Sequence, residues 1–315
     1  MDQPRTSARA KSTVGQALLP IDWGQISSLR LAARVLAEGL YVGLHRSTRL
    51  GSGVEYGGQR PYVPGDDLRF LDRRSLLKHD RLMVRQFETD TDRALWLCLD
   101  ASDSMGFRSP KALGSKLAYA ALLGAGLTRV AIASHDPVGL GWIGPSALRD
   151  VVACTGEIAF ERVVAVLETA GTAGPLCDEA ELVHRSLRWL AKRARRGSVV
   201  VLFSDLLDLP AAAMKAISAL GAWQRALCVV QVLDPVERDL GFRGKVRLRA
   251  IEGKRKVETD ADAVRAQYQA SLQALNATWA RALARDGGKL VRCASDDDPV
   301  VVVREIVRAC AEARR

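Results

Sequence analysis

Three oxygen-bearing side chains fall on alternate residues of one short stretch: Asp100, Ser102 and Ser104, within Asp100-Ala101-Ser102-Asp103-Ser104. One carboxylate and two hydroxyls make a hard, oxygen-only donor set, the kind that Mg²⁺ or Mn²⁺ takes in an octahedral shell that keeps several waters. With so few charged ligands the ion stays incompletely satisfied, and a position is left for an acidic group on another molecule. The same residues also read as a helix cap, because Ser and Asp side chains satisfy the free N–H groups at a helix start. About a hundred residues later Ser204-Asp205 places a second carboxylate behind another apolar run.

Both acids follow segments that read as strands. Residues 94–99 and 198–203 are short apolar runs bounded by polar residues, the mark of strands buried on both faces. Around them the pattern predicts helices over 110–127, 160–169, 178–196, 211–223, 260–285 and 300–313, and strands over 129–134, 138–143, 226–233 and 289–293. Strands alternating with helices imply a mainly parallel α/β sheet, Rossmann-like, with helices on both faces. Ligands in such sheets bind outside the carboxyl ends of the strands, where the strand order reverses. Residues 243–259, with Glu252-Gly253 as a turn, read as a small β-hairpin insertion. Ahead of this domain (93–315), residues 1–20 are polar and read as disordered, 26–44 have helical apolar spacing, and 51–92 form a Gly- and charge-rich arm, so 21–92 is taken as a helix plus arm.

Other chemistries fit less well. A phosphohydrolase with a nucleophilic Asp at its first strand end wants a second acid two residues on, where this chain has Ser102. Walker A and G-x-S-x-G patterns are absent, and His45, His79, His135 and His184 are scattered. The six cysteines show no C-x-x-C spacing; Cys98 and Cys228 lie in apolar strands, as reduced thiols of a cytosolic protein would. A formal charge of +10 favours loose attraction to polyanions, but no aromatics interleave with the basic residues as stacking platforms would require. A nucleic-acid-binding module is therefore the second reading and a metal phosphohydrolase the third. No run reaches the roughly 18 apolar residues of a membrane helix, and no apolar leader precedes a cleavage site, which points to the cytoplasm.

The arm carries a more specific signal. Arg60-Pro61-Tyr62-Val63-Pro64-Gly65-Asp66-Asp67-Leu68-Arg69, then Asp72, Ser75 and Val84-Arg85-Gln86-Phe87-Glu88, closely resembles the signature of the bacterial domain of unknown function 58 family. Gly51-Ser52-Gly53-Val54-Glu55-Tyr56-Gly57-Gly58, Val232-Leu233-Asp234-Pro235-Val236-Glu237-Arg238 and Ile251-Glu252-Gly253 extend the resemblance. Arg73 stands where the family often has Trp. The resemblance implies a von Willebrand A-like domain with an N-terminal arm, and a non-enzymatic, protein-binding metal-ion-dependent adhesion site. Its metal residues on this chain are Asp100, Ser102, Ser104, Asp205 and a Thr, for which Thr172 is the candidate and Cys177 the competing position. It also implies a MoxR-type AAA+ ATPase, or a client of one, as the partner that offers the acidic residue. Within the arm, Asp66, Asp67, Arg69 and Asp72 read either as a binding surface or as internal ion pairs, Pro64-Gly65-Asp66-Asp67 having first the look of a turn.

Overall fold

The computed structural model describes residues 18–44, 55–61, 83–88, 93–144, 148–176, 179–207, 209–222, 224–252 and 256–313. The N-terminal part comprises β1 (Leu19–Pro20), α1 (Leu29–Leu44), β2 (Glu55–Pro61) and β3 (Met83–Glu88). Then follow β4 (Leu95–Asp100), α2 (Lys116–Ala133), β5 (Val138–Ile143), β6 (Val151–Cys154), α3 (Gly156–Glu168), β7 (Gly171–Thr172), α4 (Ala180–Arg193), β8 (Val199–Ser204) and α5 (Ala211–Ser218). The C-terminal third holds β9 (Ala226–Leu233), α6 (Pro235–Asp239), β10 (Lys245–Arg249), β11 (Lys256–Asp260), α7 (Ala261–Arg285), β12 (Lys289–Ala294) and α8 (Pro299–Ala313).

The main sheet runs β12-β9-β8-β4-β5-β6, parallel throughout except for β6, which pairs antiparallel with β5 at one edge. β4, β5, β8 and β9 are buried along their whole length, as apolar strands covered on both faces must be. From β4 the chain steps outward to β5 and β6, then returns to the other side of β4 to lay down β8, β9 and β12. The order therefore reverses between β4 and β8, and the crevice at their carboxyl ends is the place this topology reserves for a ligand. This is a von Willebrand A-like arrangement, with β10 and β11 forming an antiparallel hairpin outside the sheet.

Several sequence expectations are corrected here. Residues 129–134 are not a strand: α2 continues through Ala133, and Thr128 bonds back to Gly124 O at 2.9 Å inside it. A short run of Val, Ala and Ile cannot be assigned by periodicity alone, and here it continues the helix begun at Lys116. That helix starts at Lys116 rather than at Pro110, with Ser115 as its cap accepting from Ala118 N. β6 had no counterpart in the sequence reading, being four residues long and half exposed. Leu19–Pro20, inside the stretch expected to be disordered, pair antiparallel with Gly171–Thr172. Residues 1–17 lie outside the described residues, as do Asp66, Asp67, Arg69 and Asp72 of the arm; of the arm the structure gives the β2–β3 ribbon.

One face of the sheet is covered by α2 and α8, with α1 laid across α2 through Leu29, Ala33, Leu36 and Leu40; the other is covered by α4, α5 and α7. Among the described residues, α2 is the one helix with the length and apolarity of a membrane span, and 78% of it is buried in the core.

Candidate metal centre

Strand β4 delivers Asp100 into the crevice, 1% exposed. One of its oxygens accepts from Ser102 N at 2.9 Å and the other from the Ser204 hydroxyl at 2.6 Å. The Ser102 and Ser104 Oγ atoms are 3.0 Å apart, and Ser104 lies close enough to Asp205 to favour its charged form. The alternation of D-x-S-x-S thus turns all three side chains to one side, in a chain that runs from Asp100 through Ser102 and Ser104 to Asp205. Ser102 precedes a single 3-10 turn, Asp103–Gly106, yet its side chain caps nothing there.

Thr172 is brought alongside by the loop after β7. Ala173 N donates to Ala101 O at 2.8 Å, Asp103 N to Gly174 O at 3.1 Å, and Gly174 N to the Asp103 carboxylate at 2.8 Å. Stitched in this way, Thr172 is buried against Gly106, where a Cβ would come within 3.2 Å of its methyl and 3.5 Å of its hydroxyl. Cys177 lies outside the described residues.

Two groups that the sequence reading passed over complete the surroundings. Lys116, wholly buried at the first turn of α2, places Nζ 2.7 Å from Asp205 and 2.8 Å from Glu237. Glu237 in turn accepts from Asp234 N at 3.0 Å, inside a capping box that starts α6. The only hint in the sequence was a lysine opening an otherwise apolar helix, since a buried lysine must be paired. The second group is Glu252. It lies between β10 and β11, as the hairpin reading expects, but it is only 7% exposed, and its carboxylate accepts from Ser104 N at 3.2 Å and from Leu176 N at 2.9 Å.

The electrostatics follow from burial and from these partners. Burial, reinforced by the neighbouring Asp205 charge, pushes the Asp100 carboxyl up to about 7, although bonds from Ser204 and Ser102 oppose this. Burial would raise Asp205 too, but Lys116 holds it below the ordinary carboxylate value. Burial alone would lower Lys116; Asp205 and Glu237 keep it above the usual lysine range. The rim therefore holds more negative charge than Lys116 balances.

That imbalance and the donor types suit a hard divalent cation: two hydroxyls 3.0 Å apart, with a carboxylate on either side of them. Among the described residues no three His, Cys, Asp or Glu side chains converge as a metal cluster, so an ion here would depend on the serine hydroxyls. Asp205 already has one oxygen on Lys116 and the other on Leu207 N, which leaves it suited to an outer or water-mediated role.

The strand order and the rim together define an α/β domain of the von Willebrand A-like class. The description "Protein of unknown function DUF58" matches residues 58–278, and the chain belongs to that family. It is 29% identical over 296 residues to the uncharacterized protein Rv1480 of Mycobacterium tuberculosis, covering 92% of this chain and 89% of that one. Solved structures similar to it include BatB from Bacteroides thetaiotaomicron (15% identity, 70% of this chain and 99% of that chain, TM-score 0.44). The VWA domain of SpRpn10 is another (12% identity, 67% of this chain and 93% of that chain, TM-score 0.36). At such scores the fold assignment rests on the strand order described above.

Proposed function

We propose that the chain is a non-enzymatic protein-binding module in which Asp100, Ser102, Ser104, Thr172 and Asp205 hold Mg²⁺ or Mn²⁺, and that an acidic residue of a partner protein completes the shell. The family and the A-like fold support an interaction module. The metal reading is carried by one observation: the paired Ser102 and Ser104 hydroxyls between Asp100 and Asp205, at the point where strand order reverses. The two hydroxyls supply direct ligands, Asp100, both of whose oxygens are already bonded, acts with Thr172 and Asp205 largely through water, and the ion when bound supplies charge attraction for a carboxylate. No step in this scheme makes or breaks a covalent bond. A cytoplasmic module working with a MoxR-type AAA+ ATPase is the setting that fits it.

Ser102→Ala with Ser104→Ala is the direct test. The double variant keeps its fold by circular dichroism and loses at least about tenfold in Mg²⁺ affinity by calorimetry, the weight of roughly 1.4 kcal/mol. Capture of a MoxR-type ATPase is abolished in the variant and in EDTA. Capture that persists in EDTA sinks the proposal. Salt-sensitive retention on DNA that ignores these substitutions favours the nucleic-acid module instead.

A further inference from the structure

The rim already contains a carboxylate that no scheme of metal ligands requires. Glu252 reaches in from the segment linking β10 and β11, well outside the sheet, and both of its oxygens are engaged. One takes the amide of Ser104, a residue of the D-x-S-x-S loop; the other takes the amide of Leu176, beyond Thr172 on the facing loop. It thus spans the crevice between the two loops that hold the proposed metal residues, 148 residues from one contact and 76 from the other. Burying a carboxylate is costly unless it is fully bonded, so its position here is specified by those amides.

The element carrying it is weakly attached. Along β10, Lys245, Arg247 and Arg249 are exposed, and along β11 so are Lys256, Val257 and Glu258. A cleft of about 450 Å³, lined in part by Phe107, Leu240, Leu248 and Tyr268, separates the hairpin from the body. Few buried apolar contacts mean a low cost of local opening. The exposed cations sit on the same hairpin as the buried acid, so an acidic segment approaching the rim meets complementary charge first.

We infer that Glu252 holds the place of the partner's acid: the chain supplies its own carboxylate to the rim, and a partner binds by exchanging an acidic side chain for Glu252 while its flanking acids meet the basic hairpin. This rests on the acid-binding reading above but adds a competitor inside the chain. The measured affinity for an outside carboxylate is then the intrinsic one reduced by the fraction of molecules in which Glu252 has left.

Acetate at constant ionic strength, exchanged against chloride, is a sufficient probe for the full chain. In the Mn²⁺-loaded protein, relaxation of the acetate methyl protons by the bound ion reports access of a free carboxylate. Glu252→Ala is expected to strengthen acetate binding by about tenfold or more, the relief from a competitor that wins ten times in eleven. Glu252→Gln, which keeps the volume and loses the charge, should change it in the same direction. In the wild-type chain, acetate should also speed hydrogen exchange of the β10 and β11 amides. If Mn²⁺ binds and neither variant gains acetate affinity, the inference is overturned. If Mn²⁺ binds to none of the proteins, the metal reading falls, and the exchange arm decides this one: hairpin amides that ignore acetate overturn it, and amides that open support it.

Discussion

Lys116 shows what a single side chain contributes at this rim. Its ammonium is fully buried between Asp205 and Glu237, so removing it strands the buried Asp205 without a counter-charge and leaves the half-buried Glu237 unpaired. Lys116→Met is expected to cost about 3–5 kcal/mol of stability, read as a lower urea midpoint. On the metal reading proposed above, saturating Mg²⁺ is expected to return part of that loss, because an ion bound to the folded state alone stabilises it by mass action. A variant as stable as the parent shows that the pair is dispensable. At this scale the sequence was partly legible. Asp100, Ser102, Ser104 and Asp205 could be picked out because alternation and strand ends are written in local order. Lys116, Glu237 and Glu252 could not, because the partners that bring them to the rim lie 76 to 148 residues away and local order offers no more than a lysine opening an apolar helix.

Among elements, β7 is two residues long, yet it fixes the position of Thr172 by pairing with β1. That pairing depends on Gly171, where a Cβ would lie 2.2 Å from Leu19 O, a backbone atom that cannot step aside. Gly171→Ala should release β1, and limited proteolysis ahead of α1 should become faster while cleavage within the sheet does not. A substitution that leaves the protection unchanged refutes this role. Elements were legible where a long apolar run or a helical period marked them: β4, β8, β9 and α7 fall where expected. They were not legible where tertiary contact decides. The last turns of α2 were read as a strand because their residues suit either, and β6 is an edge strand too short to leave a pattern. β1 owes its existence to a partner about 150 residues away.

For the molecule as a whole, the decisive feature is how the ends of the described chain meet. Leu36 packs on α2 so closely that a side chain at Gly126 would come within 2.2 Å of it, and Arg304 of α8 donates to Gly39 O of α1 at 2.8 Å. Leu36→Ala should cost about 2–5 kcal/mol, measured by denaturant unfolding. A smaller loss means that α1 can be peeled away without consequence. The parallel sheet with covered faces was readable from the rhythm of the sequence; the docking of α1 was not, since amphipathic spacing says that a helix has a face but not what it faces.

The bond between Gly39 and Arg304 closes a loop of 265 residues. A ribosome extends the chain at roughly 5–20 residues per second, so α1 waits tens of seconds for α8 to be made. During that wait its apolar stripe has α2 as a neighbour but not the last helix. The nascent molecule therefore passes through a stage in which one flank of the sheet is only partly roofed, the stage at which a chaperone would find the most to hold.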